Sequence, residues 1–172
     1  MLFSIIHEIG HIIVGLILKM KLEKIEIIPF GITASFYSDF KESKIKEIFV
    51  ALAGPIVSLA MAILGGNFDI TYIANEEFVY SNILICIFNL IPIYPLDGGR
   101  IIKGILYIIL GSEKSEILMN KISNITIIIL TIISSIAVYY YKNIAIFLIC
   151  IFLWSLSLKE KNVKTLAILQ GK

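Results

Sequence analysis

Five long apolar stretches follow one another along the chain, and they constrain its fold more than any other feature. They cover residues 1–18, 48–66, 79–110, 122–141 and 144–158. A bilayer core about 30 Å thick requires roughly 20 apolar residues per helix, and several stretches approach or reach that length. With 58% hydrophobic residues and a mean hydropathy of +0.93, the chain lies outside the composition of ordinary globular domains. The sequence therefore predicts a mainly α, multi-pass membrane protein with about five transmembrane segments.

The third stretch is interrupted and is too long for one straight helix. Its segment NLIPIYPLDGGR, residues 89–100, contains Pro92, Pro95, Gly98 and Gly99, and such residues break or end a helix. Irregular backbone at membrane depth is tolerated only where it lines a cavity or is buried in protein. The break therefore predicts a functional site.

The distribution of lysine predicts the orientation of the segments in the cell membrane. If the C-terminal end of the first stretch is cytoplasmic, so are residues 19–47, 111–121 and 159–172, which contain twelve lysines. The outer connections, 67–78 and 142–143, contain one lysine, Lys142. This bias agrees with the positive-inside rule. The net charge of +2, spread over scattered residues, argues against nucleic acid as a partner.

Residues 22–38 fit no membrane span. Apolar residues alternate at Ile25 and Ile27, and a Pro-Phe-Gly turn follows at residues 29–31. This pattern is typical of a β-hairpin, which we expect to be associated with the cytoplasmic face of the membrane. A connecting loop is the alternative.

The first stretch contains the sequence HEIGH, residues 7–11. On a helix, His7 and His11 lie one turn apart on one face, close enough to bind one metal ion. Glu8 is then positioned to take a proton from the water that the metal activates. The alternative is that the three residues are satisfied by polar neighbours, but ionisable groups inside a span are costly and usually functional. Eight residues separate His11 from Lys19, about 12 Å of helix, so the site is expected inside the hydrocarbon, nearer the cytoplasmic side.

A catalytic zinc ion usually has three protein ligands and an open fourth position, and the chain has only two histidines. Asp97, in the broken segment, is the candidate for the third ligand, because Asp39 and Asp69 fall in solvent-facing loops. A turn or capping role for Asp97 is the alternative, since Asp-Gly is common in turns. The amide of Asn89 could donate to a developing oxyanion or to the substrate backbone, or it could bond to another helix.

Three motifs occur together in this order: HEIGH, then AGPIVS at residues 53–58, then FNLIPIYPLDGGR at residues 88–100. Together they resemble the site-2 protease (M50) family of intramembrane zinc metalloproteases, and look most like the branch that contains the stage IV sporulation protein FB. The resemblance covers residues 1–158, which form the expected protease domain, and leaves 159–172 as a short cytoplasmic tail. It implies that His7, His11 and Asp97 bind Zn²⁺, that Glu8 activates water, and that Asn89 and Pro95 lie near the substrate.

The resemblance also implies a function. Such enzymes cut membrane-tethered proteins within or next to the lipid bilayer, and in the sporulation branch the substrate is a pro-sigma factor. The hairpin would then be an edge to which an unwound substrate adds as a strand. Two other functions are possible on this sequence. The chain could be an inactive relative that binds membrane segments without cutting them, or it could be a metal transporter. A transporter fits less well, because its polar residues would be repeated along several helices, whereas here they converge on one point. Inhibitory membrane partners and a homo-oligomer stay open.

Overall fold

The computed structural model describes residues 2–20, 22–28, 31–36, 41–67, 75–142 and 144–169. Most of these residues are helical. The elements are α1 Leu2–Ile17, β1 Leu22–Ile28, β2 Gly31–Phe36, α2 Lys41–Asn67, α3 Asn75–Asn89, α4 Asp97–Leu110, α5 Ser112–Tyr141 and α6 Ala145–Leu169. The strands β1 and β2 are antiparallel, with Ile28 opposite Gly31 at the turn end and an irregularity between Leu22 and Lys24. Residues 29 and 30 of the predicted turn, Asp39 and Asp69 lie outside the described residues.

Helix α2 is the central element of the fold, because it packs against α1, α3 and α4. The chain then continues outward from α4 to α5 and from α5 to α6. Within the part of the chain that the structure describes, two helices are long and apolar enough to cross a membrane, over Lys44–Gly66 and Ser112–Tyr140. The segments Phe3–Ile17 and Ile146–Leu158 are shorter apolar helices.

The outer face of α5 is covered by isoleucine. The exposed members are Ile125, Ile128, Ile129, Ile132, Ile133 and Ile136. Their spacing of three and four residues puts them on one side of the helix, and a continuous exposed apolar surface of this kind suits contact with lipid. The sequence and the packing of α5 therefore agree with a membrane environment.

The predicted break in the third stretch separates α3 from α4. Its residue Ile93 is fully buried and packs against Ile127 of α5 and Leu153 of α6. The next residue, Tyr94, donates its backbone N–H to the hydroxyl of Ser123 on α5, at 3.1 Å, and precedes a cis peptide bond to Pro95. The break is thus held in place by the two C-terminal helices.

Three helices are longer than the apolar stretches predicted for them. Helix α5 begins at Ser112 rather than near residue 122, α2 begins at Lys41 rather than near 48, and α6 continues to Leu169 through the predicted tail. Within the early part of α5, Met119 and Ser115 are buried, so this polar segment packs on protein. Hydropathy reports contact with lipid rather than helicity, and for this reason it missed these turns.

Candidate active site

Helix α1 turns its two histidines away from its apolar surface. His7 and His11 are each only 2% exposed, whereas Ile5, Ile9 and Ile13 on other sides of the helix are roughly half exposed. The two rings meet edge to face, with centroids 4.9 Å apart. The spacing of four residues thus produces the shared face that the sequence predicts.

Helix α2 contacts both histidines through three residues spaced four apart. The backbone carbonyl of Val50 accepts a hydrogen bond from His11 Nδ1 at 2.7 Å, and Ser58 Oγ lies 2.9 Å from His7 Nδ1. Between them, Gly54 leaves room for the rings, since a Cβ there would overlap the imidazole of His11 and lie 2.6 Å from His7 Nε2. The absence of a side chain at Gly54 therefore lets α2 approach α1 closely.

The third side chain comes from the start of α4. Asp97 is the first residue of this helix, follows an N-cap at Leu96 that has no side-chain hydrogen bond, and is itself buried, with 6% exposure. Its Oδ2 atom lies 3.1 Å from His7 Nε2 and 3.2 Å from His11 Nε2. The carboxylate therefore faces the histidines and does not cap the helix.

The two glycines after Asp97 allow α4 to pack tightly on the break. A Cβ at Gly98 would collide with the carbonyl of Leu90, and one at Gly99 would lie 2.5 Å from the carbonyl carbon of Ile93. Both glycines lie within the first turn of a regular helix, so close approach of backbones, and not an unusual turn, explains their presence. This packing holds Asp97 at the depth of the histidines.

The three facing atoms form a nearly equilateral triangle. His7 Nε2 and His11 Nε2 are 3.2 Å apart, and each lies at a similar distance from Asp97 Oδ2. Tetrahedral zinc bonded to nitrogen and oxygen at roughly 2.0–2.1 Å separates its ligand atoms by about 3.3 Å. The carbonyl of Val50 can only accept a hydrogen bond, so His11 Nδ1 carries a proton, and in the neutral ring Nε2 has a lone pair. With that ring neutral, His11 Nε2 and the Asp97 carboxylate each direct a lone pair into the triangle, and a cation fits between them.

Two further charged residues adjoin this triangle. The half-buried Glu8 belongs to a group with His7 and His11 in which one potential ligand atom of each residue lies within 4.8 Å of the others. Arg100, one turn after Asp97, has Nη1 3.9 Å from Asp97 Oδ1, on the carboxylate oxygen that does not face the histidines. A base at Glu8 and a positive charge at Arg100 therefore both adjoin the triangle.

The structure also gives the positions of Asn89 and Pro95. Asn89 is the last residue of α3, and its amide donates to the carbonyl of Ile85 at 3.0 Å. This bond lies within its own helix, so the alternative of a bond to another helix is wrong for this N–H group. Pro95 is half-buried in the break, two residues before Asp97.

Sequence reasoning missed three contributors to the site: Ser58, the Val50 carbonyl and Arg100. For Ser58 a signal exists, because a serine four residues after Gly54 lies on the same helix face. For Arg100 the signal is its position three residues after Asp97. A backbone carbonyl such as that of Val50 leaves no signal in a sequence.

Comparison with known proteins identifies similar chains. The model of Peptidase family M50 matches residues 70–133. The chain is 30% identical to zinc metalloprotease MJ0392 of Methanocaldococcus jannaschii over 167 residues, which are 92% of this chain and 47% of that one. It is 29% identical to stage IV sporulation protein FB of Bacillus subtilis over 59% of this chain and 37% of that one. The chain thus spans less than half the length of these two relatives.

One solved structure is similar to this chain over most of the chain's length. The site-2 protease from Methanocaldococcus jannaschii superposes with a TM-score of 0.71 and 30% sequence identity, over 92% of this chain and 74% of that one.

Proposed function

The chain belongs to the site-2 protease family, peptidase family M50, and from this premise we propose that it is a zinc metalloendopeptidase that hydrolyses a peptide bond within or near the bilayer. Its substrate is a membrane-tethered protein. The observation that carries the proposal is the buried triangle of two imidazole nitrogens and one carboxylate oxygen, with sides of 3.1 to 3.2 Å. A carboxylate base adjoins this triangle at Glu8.

In this proposal His7, His11 and Asp97 hold Zn²⁺. When bound there, zinc would lower the pKa of water toward neutrality and polarise the scissile carbonyl. Three protein ligands leave one position open, as in catalytic rather than structural zinc sites. No other histidine or cysteine is at hand to fill the open position. The chain has only two histidines, and its two cysteines, Cys86 and Cys150, are in other segments.

Glu8 acts as the general base. Its carboxylate takes a proton from the attacking water and returns it to the leaving amine, a role that requires it to reach the reacting atoms without binding zinc itself. Glu8 is suited to this role because it follows His7 directly and is only half-buried. Its side chain can therefore move between the water and the amine.

Asn89 and Pro95 contact the substrate. Asn89 uses one amide N–H for the carbonyl of Ile85, and its second N–H can donate to the substrate backbone or to the developing oxyanion. Pro95 is in the irregular segment that leads into Asp97, where an extended substrate could lie beside the site. A helical substrate must unwind first, because helical hydrogen bonds occupy its carbonyls.

The protein crosses the cell membrane about five times, with the active site nearer the cytoplasmic side. Helices α1 to α6 all carry apolar runs, and the break divides the third of the five spans between α3 and α4. The lysine distribution supports this orientation, as does the short distance from His11 to Lys19. The strands β1 and β2 then lie at the cytoplasmic face, where an unwound substrate can add to an edge.

The substrate is a membrane-tethered pro-sigma factor of sporulation. The similarity to stage IV sporulation protein FB and the sequence motifs that resemble its branch support this proposal. The experiment is co-expression in bacteria with such a pro-sigma factor, with a shortened product detected by gel. Three forms are compared: the unaltered protein, Glu8→Gln, and Glu113→Gln as a control at an exposed glutamate on α5.

A product formed by the unaltered protein and by Glu113→Gln, but not by Glu8→Gln, supports the protease and its substrate class. A product that persists at full yield in Glu8→Gln contradicts the assignment of the base. If zinc is bound and no form gives a product, the proposed substrate is wrong, and pull-down of the intact pro-protein would favour a binding function.

A further inference from the structure

The Nδ1 atoms of the two histidines are hydrogen-bonded to different kinds of group. His11 Nδ1 donates to the main-chain carbonyl of Val50, and His7 Nδ1 contacts the side chain of Ser58. In metal sites the ring nitrogen that does not bind the metal commonly donates to a nearby acceptor, which selects the tautomer and orients the ring. Both rings have such a partner, and both partners belong to α2.

The positions of these partners follow from the antiparallel course of α1 and α2. His11 is the later histidine on α1 and meets the earlier residue of α2, whereas His7 meets Ser58, eight residues beyond Val50. Gly54 lies midway and contacts both rings. Residues spaced four apart lie on one face of a helix, so α2 presents a carbonyl, a gap and a hydroxyl in register with the two imidazoles.

The hydrogen bond of Ser58 differs from those of Ser115 and Ser134, two serines that are buried to a similar extent. Ser115 and Ser134 each donate to a carbonyl three residues earlier in their own helix. Ser58 is 0% exposed, and its hydroxyl lies 2.9 Å from a ring nitrogen 51 residues away. A buried hydroxyl requires a partner, and this one is directed at the functional site.

We propose that Ser58 is the positioning residue of His7, whose Nδ1–H donates to the serine hydroxyl so that Nε2 faces the metal. This inference rests on the proposed zinc site. Ser58 does not touch substrate or metal, and it acts through the orientation and tautomer of one imidazole. The equivalent partner of His11 is a main-chain carbonyl, which no side-chain substitution removes, so Ser58 is the member of the pair that can be tested.

The first measurement is the zinc dissociation constant of the purified full chain in detergent, obtained by competition with a chelator. We expect Ser58→Ala to weaken zinc binding by about 10- to 100-fold, the range typical of lost outer partners of metal-bound histidines. The control is Ser134→Ala, which deletes an equally buried hydroxyl on α5, and its affinity should equal that of the unaltered protein. Ser58→Thr keeps a hydroxyl and should retain tighter binding than Ser58→Ala.

These outcomes separate the two proposals. If the unaltered protein binds no zinc, the proposed function fails and the role of Ser58 falls with it. If the unaltered protein binds zinc and Ser58→Ala binds it equally well, only the role of Ser58 is overturned. Equal losses in Ser58→Ala and Ser58→Thr would also overturn it, because they would trace the effect to packing rather than to the hydroxyl.

The second measurement detects the hydrogen bond itself. The chain contains only two histidines, so ¹⁵N-histidine labelling reports two rings and no others in an NMR spectrum. In the zinc-loaded protein, Ser58→Ala should shift one Nδ1–H signal and leave the other, which belongs to the ring bonded to Val50, unchanged. A spectrum in which both signals shift alike, or neither does, would contradict the proposal.

Discussion

Asp97 Oδ2 lies 3.1 Å from His7 Nε2, although 90 residues separate the two along the chain. The contact forms because α2 packs against both α1 and α4, and because Gly54 lets α1 come close to α2 while Gly98 and Gly99 let α4 settle on the break. The site is therefore assembled by close backbone packing at three glycines. Each of its three polar groups would be costly to bury alone in an apolar environment.

The Asp97 contact predicts that Asp97→Asn loses zinc. The amide has nearly the same shape as the carboxylate but no charge, and it is a much weaker ligand for zinc. We expect the zinc affinity to fall by more than about 100-fold, and cleavage to be lost with it. This exceeds the loss that is typical when a metal-bound histidine loses its second hydrogen-bond partner. Zinc content after gel filtration measures the effect. Glu113→Gln, which removes a remote exposed carboxylate, should bind a full equivalent, and full occupancy in Asp97→Asn would exclude Asp97 as a ligand.

The positions of His7, His11 and Asp97 could be predicted because their signals are local. Two histidines four residues apart share a helix face whatever the rest of the chain does, and an aspartate within a Pro- and Gly-rich break stands out in an apolar run. Ser58 and Val50 contact the histidines only because α1 and α2 pack antiparallel in one register. That register is a property of the tertiary structure, and it cannot be predicted from the composition of the chain.

The lengths of the helices could not be predicted from the apolar stretches alone. The first turns of α5 are polar, and the apolar stretch beginning at residue 122 underestimates the helix. Burial of Met119 indicates that these turns are stabilised by contact with protein. A hydropathy window detects the part of a helix that faces lipid and does not detect the part that faces protein or solvent.

Gly54 predicts a steric effect on the metal site. In Gly54→Ala the new methyl group would overlap the ring of His11 and press on His7 Nε2. Overpacking of this kind usually costs about 1–3 kcal/mol, and here it must displace the rings of the proposed zinc ligands, so we expect at least a tenfold loss of zinc affinity. The measurement is the zinc dissociation constant together with the thermal unfolding temperature.

Gly66→Ala is the matched control for Gly54→Ala. Both glycines belong to α2, but a Cβ at Gly66 meets no atom within 4 Å. Alanine favours a helix over glycine by up to about 1 kcal/mol, so this variant should keep its zinc affinity and unfold at the same or a slightly higher temperature. If Gly54→Ala behaved in the same way, the close approach of α2 to the histidines would be disproved.

Burial of the site predicts how chelators remove the metal. His7 and His11 are each 2% exposed, so a chelator must enter a buried site or wait for zinc to leave. A small uncharged chelator such as phenanthroline should abolish cleavage faster than EDTA at equal zinc-binding capacity, because desolvation of a multiply charged molecule is far more costly. Activity followed over time gives both rates, and added zinc should restore it. Equal rates would indicate that solvent reaches the metal freely.

The contact between Trp154 and Thr131 predicts a measurable link between α6 and α5. The indole Nε1–H of Trp154 donates to the hydroxyl of Thr131 at 3.2 Å, and this hydroxyl donates in turn to the carbonyl of Ile127 on its own helix. Trp154→Phe removes the hydrogen bond between the helices together with part of the indole's packing surface, whereas Thr131→Val removes both hydrogen bonds of the hydroxyl.

A double-mutant cycle isolates the Trp154–Thr131 bond, because the bond to Ile127 is lost equally in Thr131→Val and in the double variant. Hydrogen bonds between membrane helices contribute about 0.6 kcal/mol on average, and we expect a coupling free energy of this size from unfolding in mixed micelles. Zinc affinity should not change in any of the three variants, because these residues lie on α5 and α6, and neither helix contributes to the triangle. A coupling free energy of zero would mean that apolar packing around Ile127 and Leu153 alone holds α6 against α5. A change in zinc affinity would show that the break transmits the packing of α5 and α6 to Asp97.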